Sequence, residues 1–290
     1  MSFNLFIQSL IDGLLMGGIY GIVALGLTLI FGVMKIINFA QGSFLMLGMY
    51  VTYWSVAIFE VNPYLTIPIS AIILFLIGIL IQRTVLSRMI DAPEHNQLLV
   101  TMGLMLVIEN AILIAFSPDF RSVEVPGLAT TLNMLSISIN LPRLIAFCFA
   151  VVSAITLFWF LKSTMIGKAI RATSMQRNGA SIVGINTKRI NYITFGLGAS
   201  IAGIAGTLLT PVVYTSPYVG ETFILKAFVV VVLGGLGNFV GALVGGLIIG
   251  VAESIGGALF EGTWKELMTY LIFILVLLFR PKGLFGGKAK

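Results

Sequence analysis

The chain has 290 residues, of which 58% are hydrophobic and 10% are charged, and its formal net charge is +6. A mean hydropathy of +1.07 excludes a water-soluble protein, because its uncharged runs are long enough to cross about 30 Å of hydrocarbon as helices of about 20 residues. The basic balance does not indicate nucleic-acid binding, since the basic residues collect at the ends of apolar segments, where membrane topology explains them.

Apolar runs between charged residues predict a series of membrane-spanning segments. Helices are favoured because only they satisfy their backbone polar groups internally in lipid, and the runs lack the alternation of a barrel. The predicted spans are residues 9–33, 38–59, 64–83, 97–116, 143–161, 190–213, 222–236, 238–259 and 264–280. The fold class is therefore all-α, a polytopic transmembrane helical bundle of about nine spans, with eight or ten as alternatives. We expect residues 1–290 to form a single integral membrane domain whose first span is retained rather than cleaved as a signal peptide.

The basic residues predict the orientation of the bundle. Nine crossings put the N-terminus outside and the C-terminus in the cytoplasm, and this arrangement gathers most of the 17 basic residues on the cytoplasmic side. Those residues are Lys35, Arg83, Arg88, the six of residues 162–189, Arg280, Lys282, Lys288 and Lys290. The outer side receives Arg121, Arg143 and Lys265, together with Glu60, Asp119, Glu124, Glu221, Glu261 and Glu266.

Four charged residues fall inside predicted spans, where each costs about 2.5–3.5 kcal/mol on insertion scales. Asp12 and Lys226 lie near the outer ends, so we expect interfacial solvation or snorkelling. Glu109 is deeper and is expected to pair with a basic residue or to stabilise a helix contact, ahead of a role in a proton relay. Glu253 faces either a subunit interface or the transport path, and the sequence leaves both open.

Two clusters of small and amide residues interrupt the apolar pattern and are candidates for the translocation path. The first is Asn38, Gln41 and Gly42, and the second is Gly234, Gly235, Gly237 and Asn238. Irregular backbone at membrane depth is tolerated where it lines a cavity or is buried in protein. For the second cluster a plain cytoplasmic turn is the alternative. Most other glycines are expected to let helices approach closely.

The segment of residues 162–189 carries six basic side chains and no acidic one. Its core is Gly167, Lys168, Ala169, Ile170, Arg171 and Ala172, followed by Arg177, Asn178, Gly179, Ala180 and Gly184 at the spacing of an EAA-x-x-x-G coupling motif. We expect a cytoplasmic docking loop containing a short amphipathic helix, which Gly167 and Gly184 end or allow to pack closely. The alternatives are an ordinary positive-inside loop or a patch resting on anionic lipid.

No catalytic constellation is present in the sequence. A phosphate-binding loop of the form G-x-x-x-x-G-K-[ST] is not completed, because Ala169 follows Gly167 and Lys168 while Lys162 takes the place of the first glycine. His95 is the only histidine and stands beside Glu94 in a short loop, so we expect a solvated residue and no metal site.

Three segments carry a resemblance to the LivH-type permeases of bacterial branched-chain amino acid ABC importers, and the resemblance covers essentially the whole chain. They are residues 17–32 (GGIYGIVALGLTLIFG), 38–42 (NFAQG) and 280–286 (RPKGLFG), supported by residues 167–172 and 234–238. Relatives commonly carry acidic residues in the docking segment, whereas here Asn178 stands in place of the glutamate of the coupling motif.

The resemblance implies a multi-pass inner-membrane subunit that forms half of a path for leucine, isoleucine and valine. Its implied partners are the lipid bilayer, a second permease of the LivM type, two cytoplasmic ATPase subunits of the LivG and LivF type, and a periplasmic or lipid-anchored substrate-binding protein. The chain is expected to bind no cofactor, with ATP used by the partner subunits. The alternatives are the same type of permease for urea or short amides, and an ion-coupled secondary carrier that acts alone.

Overall fold

The computed structural model describes residues 3–90, 92–123, 131–134, 137–260 and 265–286. The helices in these ranges are α1 Phe3–Met34, α2 Gln41–Phe59, α3 Ile67–Thr84, α4 Glu94–Phe116, α5 Leu141–Ser163, α6 Met165–Met175, α7 Arg177–Ile182, α8 Thr187–Leu209, α9 Val219–Gly234, α10 Phe239–Leu259 and α11 Lys265–Phe279. Short 3-10 turns at Pro63–Thr66 and Leu86–Arg88 flank α3. Glu124, Glu261, Lys288 and Lys290, which entered the predicted topology, lie outside the described residues.

A β-hairpin is the one departure from the all-α expectation in the described part of the chain. Strand β1, Thr131–Met134, pairs antiparallel with β2, Ile137–Asn140, and Thr131 lies opposite Asn140. The hairpin lies in the connection between α4 and α5 rather than in the bundle. The side chain of Asn140 then starts α5 by accepting a hydrogen bond from the backbone N–H of Arg143.

Within the described ranges seven helices are long and apolar enough to cross a membrane: α1, α2, α3 with its flanking 3-10 turns, α4, α5, α8 and α10. Each coincides with a predicted span. The two remaining predicted spans coincide with α9 and α11, which have 16 and 15 residues. Both are shorter than the about 20 residues that a perpendicular crossing takes.

Helix α1 is the centre of the bundle, and glycines fix how closely α10 approaches it. A Cβ added at Gly17 would lie 2.7 Å from the carbonyl oxygen of Gly246 and 2.8 Å from Cα of Leu247. The hydrophobic effect does not drive helices together inside lipid, so this close backbone contact is a main source of packing energy. The expectation that these glycines serve helix packing is confirmed for Gly13, Gly17 and Gly21.

Helix α8 is the second buried helix, and it packs between α2 and α3. A Cβ at Gly48 of α2 would lie 2.7 Å from Cα of Gly203, and the Ser70 hydroxyl of α3 donates to the carbonyl of Gly203 at 3.1 Å. The hydroxyls of Thr52 and Thr207 lie 2.9 Å apart across the same α2–α8 contact. Small residues and short hydroxyl contacts thus let the three helices approach closely at this point.

The connection from α1 to α2 folds back into the bundle. The Gln41 amide nitrogen donates to the carbonyl of Gly198 at 2.9 Å, and a Cβ at Gly26 would collide with both groups. The first residue of α2 therefore lies at the level of Gly26. Because α1 continues from Gly26 to Met34, this level is about 12 Å before the end of α1 at 1.5 Å per residue. The intervening Ile36, Asn38 and Ala40 are fully buried.

Candidate functional site

The predicted docking loop folds into two helices joined at Gln176. Thr164 caps α6 by accepting a hydrogen bond from the backbone N–H of Gly167 at 3.0 Å. A side chain at Gly167 would collide with the backbone of Phe160 and Leu161, so the tight bend between α5 and α6 requires glycine there. Helix α6 is amphipathic, with Gly167, Ile170 and Thr173 buried and Lys168 and Arg171 exposed.

Helix α7 ends in a Schellman motif that explains the spacing of Ala180 and Gly184. The backbone N–H of Ile185 donates to the carbonyl of Ala180 at 3.0 Å, and that of Gly184 donates to Ser181 at 3.1 Å. Gly184 has a φ of +86°, in the left-handed region that favours glycine. Ala180 is buried, while Ala169 and Ala172 of α6 are half-buried.

The docking loop leaves several apolar side chains uncovered by the rest of the described chain. Met165, Met175, Ile182 and Val183 are between 75% and 87% exposed, and Lys168 is exposed beside them. We call these five residues the docking surface. Exposed apolar residues rimmed by polar ones mark interaction sites. Arg177, at the start of α7, is half-buried.

The second predicted cluster forms the turn between α9 and α10. Gly235 and Gly237 have φ of +98° and +85°, and Gly234 packs directly against the backbone of Gly241 and Ala242. Asn238 starts α10, since its side-chain oxygen accepts from the backbone N–H of Gly241 at 3.0 Å.

The segment of residues 280–286 closes over this turn. The backbone N–H of Leu284 donates to the carbonyl of Leu233 at 2.7 Å, and the Asn238 amide donates to the carbonyl of Phe285 at 2.9 Å. Three segments that are far apart in sequence therefore lie together: the turn, residues 280–286, and α6, whose Arg171 shares a cavity with Gly237.

The first predicted cluster lies apart from this turn, in the buried connection before α2. Asn38 and Gln41 are fully buried, and the Asn38 amide donates to the side-chain oxygen of Gln41 at 3.4 Å. A side chain at Gly42 would collide with the carbonyl of Gly220, so the first turn of α2 touches the first turn of α9. Within the described chain these residues pack helices α1, α2, α8 and α9 against one another.

A buried ion pair joins α9 to α10. The Lys226 ammonium lies 2.6 Å from Glu253 Oε1, and the two side chains are 9% and 2% exposed. Lys265 lies 3.7 Å from Glu253, and Glu266 lies 4.0 Å from Lys226, so the first turn of α11 adds a second pair of charges. The expectation that Lys226 snorkels to the interface is wrong, because its partner lies inside the protein.

The other two charges within predicted spans behave differently. Asp12 forms an ion pair with Arg143 at 3.4 Å, and both side chains are partly exposed. This position fits the expected location of Asp12 at the membrane–water interface. Glu109 is buried, forms no ion pair among the described residues, and leaves Oε1 without a hydrogen-bond partner. Glu94 and His95 are exposed at the start of α4, and no group of three metal-ligating side chains occurs in the described ranges.

A bundle of apolar helices with a basic, amphipathic, partly exposed segment defines an integral membrane protein. Residues 9–277 match the family described as the permease component of branched-chain amino acid transport systems, and the chain belongs to that family. It is therefore a multi-pass inner-membrane transport subunit and not an enzyme.

Similar proteins extend over nearly the whole chain. The permease protein BraD of the high-affinity branched-chain amino acid transport system of Pseudomonas aeruginosa is 30% identical over 97% of this chain and 96% of its own. The corresponding LivH of Salmonella typhimurium is 31% identical over 98% and 96%. A probable branched-chain amino acid permease LivH of Methanocaldococcus jannaschii is 27% identical over 91% and 88%. No solved structure matches the chain.

Proposed function

We propose that this chain forms half of the translocation path of an ABC importer for leucine, isoleucine and valine. The observation that carries the proposal is the family match over residues 9–277, together with relatives that align over nearly their whole length and are named for branched-chain amino acid transport. A second permease completes the path, two cytoplasmic ATPase subunits drive it, and a periplasmic or lipid-anchored binding protein delivers the substrate. The chain itself binds no cofactor, and the partner ATPases use the ATP.

The proposal includes nine crossings in a single membrane domain of residues 1–290, with the N-terminus outside and the C-terminus in the cytoplasm. Contacts at the two ends of the bundle support this arrangement. At one end Gln8 donates to the carbonyl of Ser138, and Arg121 and Thr215 exchange backbone hydrogen bonds. At the other end lie the docking loop, the α9–α10 turn and residues 280–286. These positions are consistent with alternating crossings by nine helices.

The docking surface is our candidate for the contact with the ATPase subunits. Gly167, Lys168, Ala169, Arg171, Ala172, Arg177, Ala180 and Gly184 build or border it. Helices α6 and α7 give it a fixed shape through their caps, and its methionine and branched aliphatic side chains suit a hydrophobic groove. Because α6 leaves α5 through the tight bend at Gly167, movement of α6 is passed to α5 without an intervening flexible linker.

We place the moving parts of the path at the two breaks in helical structure. Asn38, Gln41 and Gly42 hold the buried connection before α2, and Gly234, Gly235, Gly237 and Asn238 form the turn at the cytoplasmic mouth. Broken helices of this kind are found around transport sites, because irregular backbone inside a membrane is stable only when protein or a water-filled cavity surrounds it.

A test of the function is uptake by the purified importer, with all partners, in vesicles. We expect labelled leucine to accumulate only when the binding protein is present and ATP is on the side of the ATPase subunits. An importer lacking this chain is the control. Transport of urea but not of leucine would support the importer mechanism and show that the proposed substrate is wrong. Transport by this chain alone, driven by an ion gradient, would favour a secondary carrier and contradict the proposal.

A further inference from the structure

A cavity of about 170 Å³ lies between the end of α1, helix α6 and the α9–α10 turn. Lys35, Arg171, Gly32, Gly237 and Phe239 line it. We call it the basic cavity. A water molecule takes about 30 Å³ of liquid volume, so the space holds a phosphate-sized group with some of its waters.

The two cations of the basic cavity lack a counter-charge. Neither Lys35 nor Arg171 forms an ion pair within the described ranges, and residues 162–189 contain no acidic side chain. Lys35 is held in a left-handed conformation with φ +58°, and its ammonium lies 5.4 Å from the centre of the Phe31 ring. The basic cavity thus presents two positive charges that no acidic side chain of the described residues neutralises.

Phosphate is the anion that this pair of side chains suits best. The arginine guanidinium is a planar fork that binds two oxygens of a phosphate or carboxylate at once, and lysine adds a compact point charge. Basic pockets between transmembrane helices on the cytoplasmic side are typical binding sites for anionic lipid headgroups.

A groove with both apolar and polar lining lies beside the basic cavity on the surface of the bundle. It has a volume of about 390 Å³ and shares Leu236, Gly237 and Phe239 with the cavity. Phe158, Val240 and Phe285 form an apolar wall of the groove, and Asn238 and Gly286 also line it. The Phe158 and Phe239 rings meet edge to face at 6.1 Å. A headgroup-sized basic cavity beside a groove with an aromatic and aliphatic wall has the two parts of a phospholipid site.

We propose that the basic cavity and its groove bind an anionic phospholipid, with the phosphate between Lys35 and Arg171 and an acyl chain along Phe158 and Val240. The bound lipid joins α1, α6 and the α9–α10 turn, which are the segments next to the docking surface. Its assignment to the cytoplasmic leaflet rests on the orientation proposed above, whereas the binding chemistry is independent of the transported substrate.

The test is the thermal stability of the purified importer, with all its subunits, in detergent. Short-chain phosphatidylglycerol, short-chain phosphatidylcholine and inorganic phosphate are each titrated, and Tm is followed. We expect phosphatidylglycerol to raise Tm in the unaltered protein and in the charge-retaining double variant Lys35→Arg with Arg171→Lys. In Lys35→Gln with Arg171→Gln the apparent affinity falls at least about tenfold, because charge-assisted hydrogen bonds are lost. Lys188→Gln, a basic residue of the same loop away from the cavity, is the matched control.

A groove variant gives an independent arm if the double substitution prevents folding. Val240 is 54% exposed, so Val240→Trp fills the groove without disturbing the core. We expect this variant to weaken the binding of phosphatidylglycerol while Lys35 and Arg171 are unchanged. An equal rise in Tm with inorganic phosphate, abolished by the double variant but not by Val240→Trp, would show a free-phosphate site and overturn the lipid assignment. An unchanged affinity for phosphatidylglycerol in Lys35→Gln with Arg171→Gln overturns the whole proposal. If that variant also loses the ATPase subunits, the two cations serve a protein contact instead.

Discussion

Lys226 Nζ lies 2.6 Å from Glu253 Oε1 inside the bundle, and this contact is the only link between full charges on α9 and α10 in the described ranges. Removing one member of a buried ion pair leaves an uncompensated charge and costs about 3–5 kcal/mol, whereas replacing both with apolar residues is often neutral or stabilising. The pair is therefore a sharp probe of how α9 is held.

We expect Glu253→Met and Lys226→Met each to destabilise the importer by about 3 kcal/mol, the lower end of this range, because Glu266 or Lys265 still lies near the remaining charge. We expect the double variant to be close to the unaltered protein. Thermal unfolding of the purified complex measures this. Asp12→Asn is the control, because its pair with Arg143 is partly exposed and such pairs contribute about 0–1 kcal/mol. Additive losses in the double variant would mean that the two charges do not depend on each other.

Substitution of Gly184 tests the end of α7. No atom lies within 4 Å of a Cβ at this position, so Gly184→Ala adds only backbone strain at φ +86°. We expect about 1–2 kcal/mol of local destabilisation, weaker recovery of the ATPase subunits during purification, and an unchanged Tm of the bundle. Asparagine tolerates the left-handed region better, so Gly184→Asn should retain more of the ATPase subunits. Equal recovery with alanine and asparagine would contradict the role of the Schellman motif.

The docking surface predicts a separation of assembly from folding. Ile182 is 85% exposed and Met175 is 87% exposed, so a charge at either place adds no buried charge to the free chain. We expect Ile182→Asp and Met175→Asp to lose the ATPase subunits and uptake while the Tm of the membrane part stays the same. The variants Ile182→Leu and Met175→Leu keep an apolar side chain and should retain both the ATPase subunits and uptake. Full uptake by the aspartate variants would place the ATPase contact elsewhere.

Close packing of α1 on α10 predicts intolerance of even one methyl group. The Cβ of Gly17→Ala would meet backbone atoms of Gly246 and Leu247 below 3 Å, so the helices must separate, at a cost of about 1–3 kcal/mol. Gly103→Ala is the matched control, since nothing lies within 4 Å of a Cβ there and alanine favours the helix by about 1 kcal/mol. Thermal unfolding should rank Gly17→Ala below and Gly103→Ala at or above the unaltered protein.

Hydropathy predicted where the long helices lie, because lipid leaves a spanning segment no alternative to helical hydrogen bonding. The segments predicted near residues 9–33 and 143–161 are observed as Phe3–Met34 and Leu141–Ser163. Gly184 was also predictable as a helix end, since a positive φ after an amphipathic turn selects glycine on local grounds alone.

Features that depend on two distant segments were not predictable in this way. The ion pair of Lys226 depends on which faces of α9 and α10 contact each other. Those faces cannot be predicted from a sequence that is largely apolar all around both helices. The fold-back of residues 35–40 is likewise decided by the distant contact between Gln41 and Gly198. The pairing of strands Thr131–Met134 and Ile137–Asn140 was missed because these short strands lie outside the apolar pattern that guided the prediction.

The α9–α10 turn has a consequence for the order of synthesis. Asn238 donates to a carbonyl 47 residues further along the chain, and Leu233 accepts from Leu284. At about 5–20 residues per second, the ribosome releases those partners several seconds after the turn itself. During that interval the turn between α9 and α10 lacks both of these hydrogen bonds. The short helix α9 therefore gains its contact with residues 280–286 only after the end of α11 has left the ribosome.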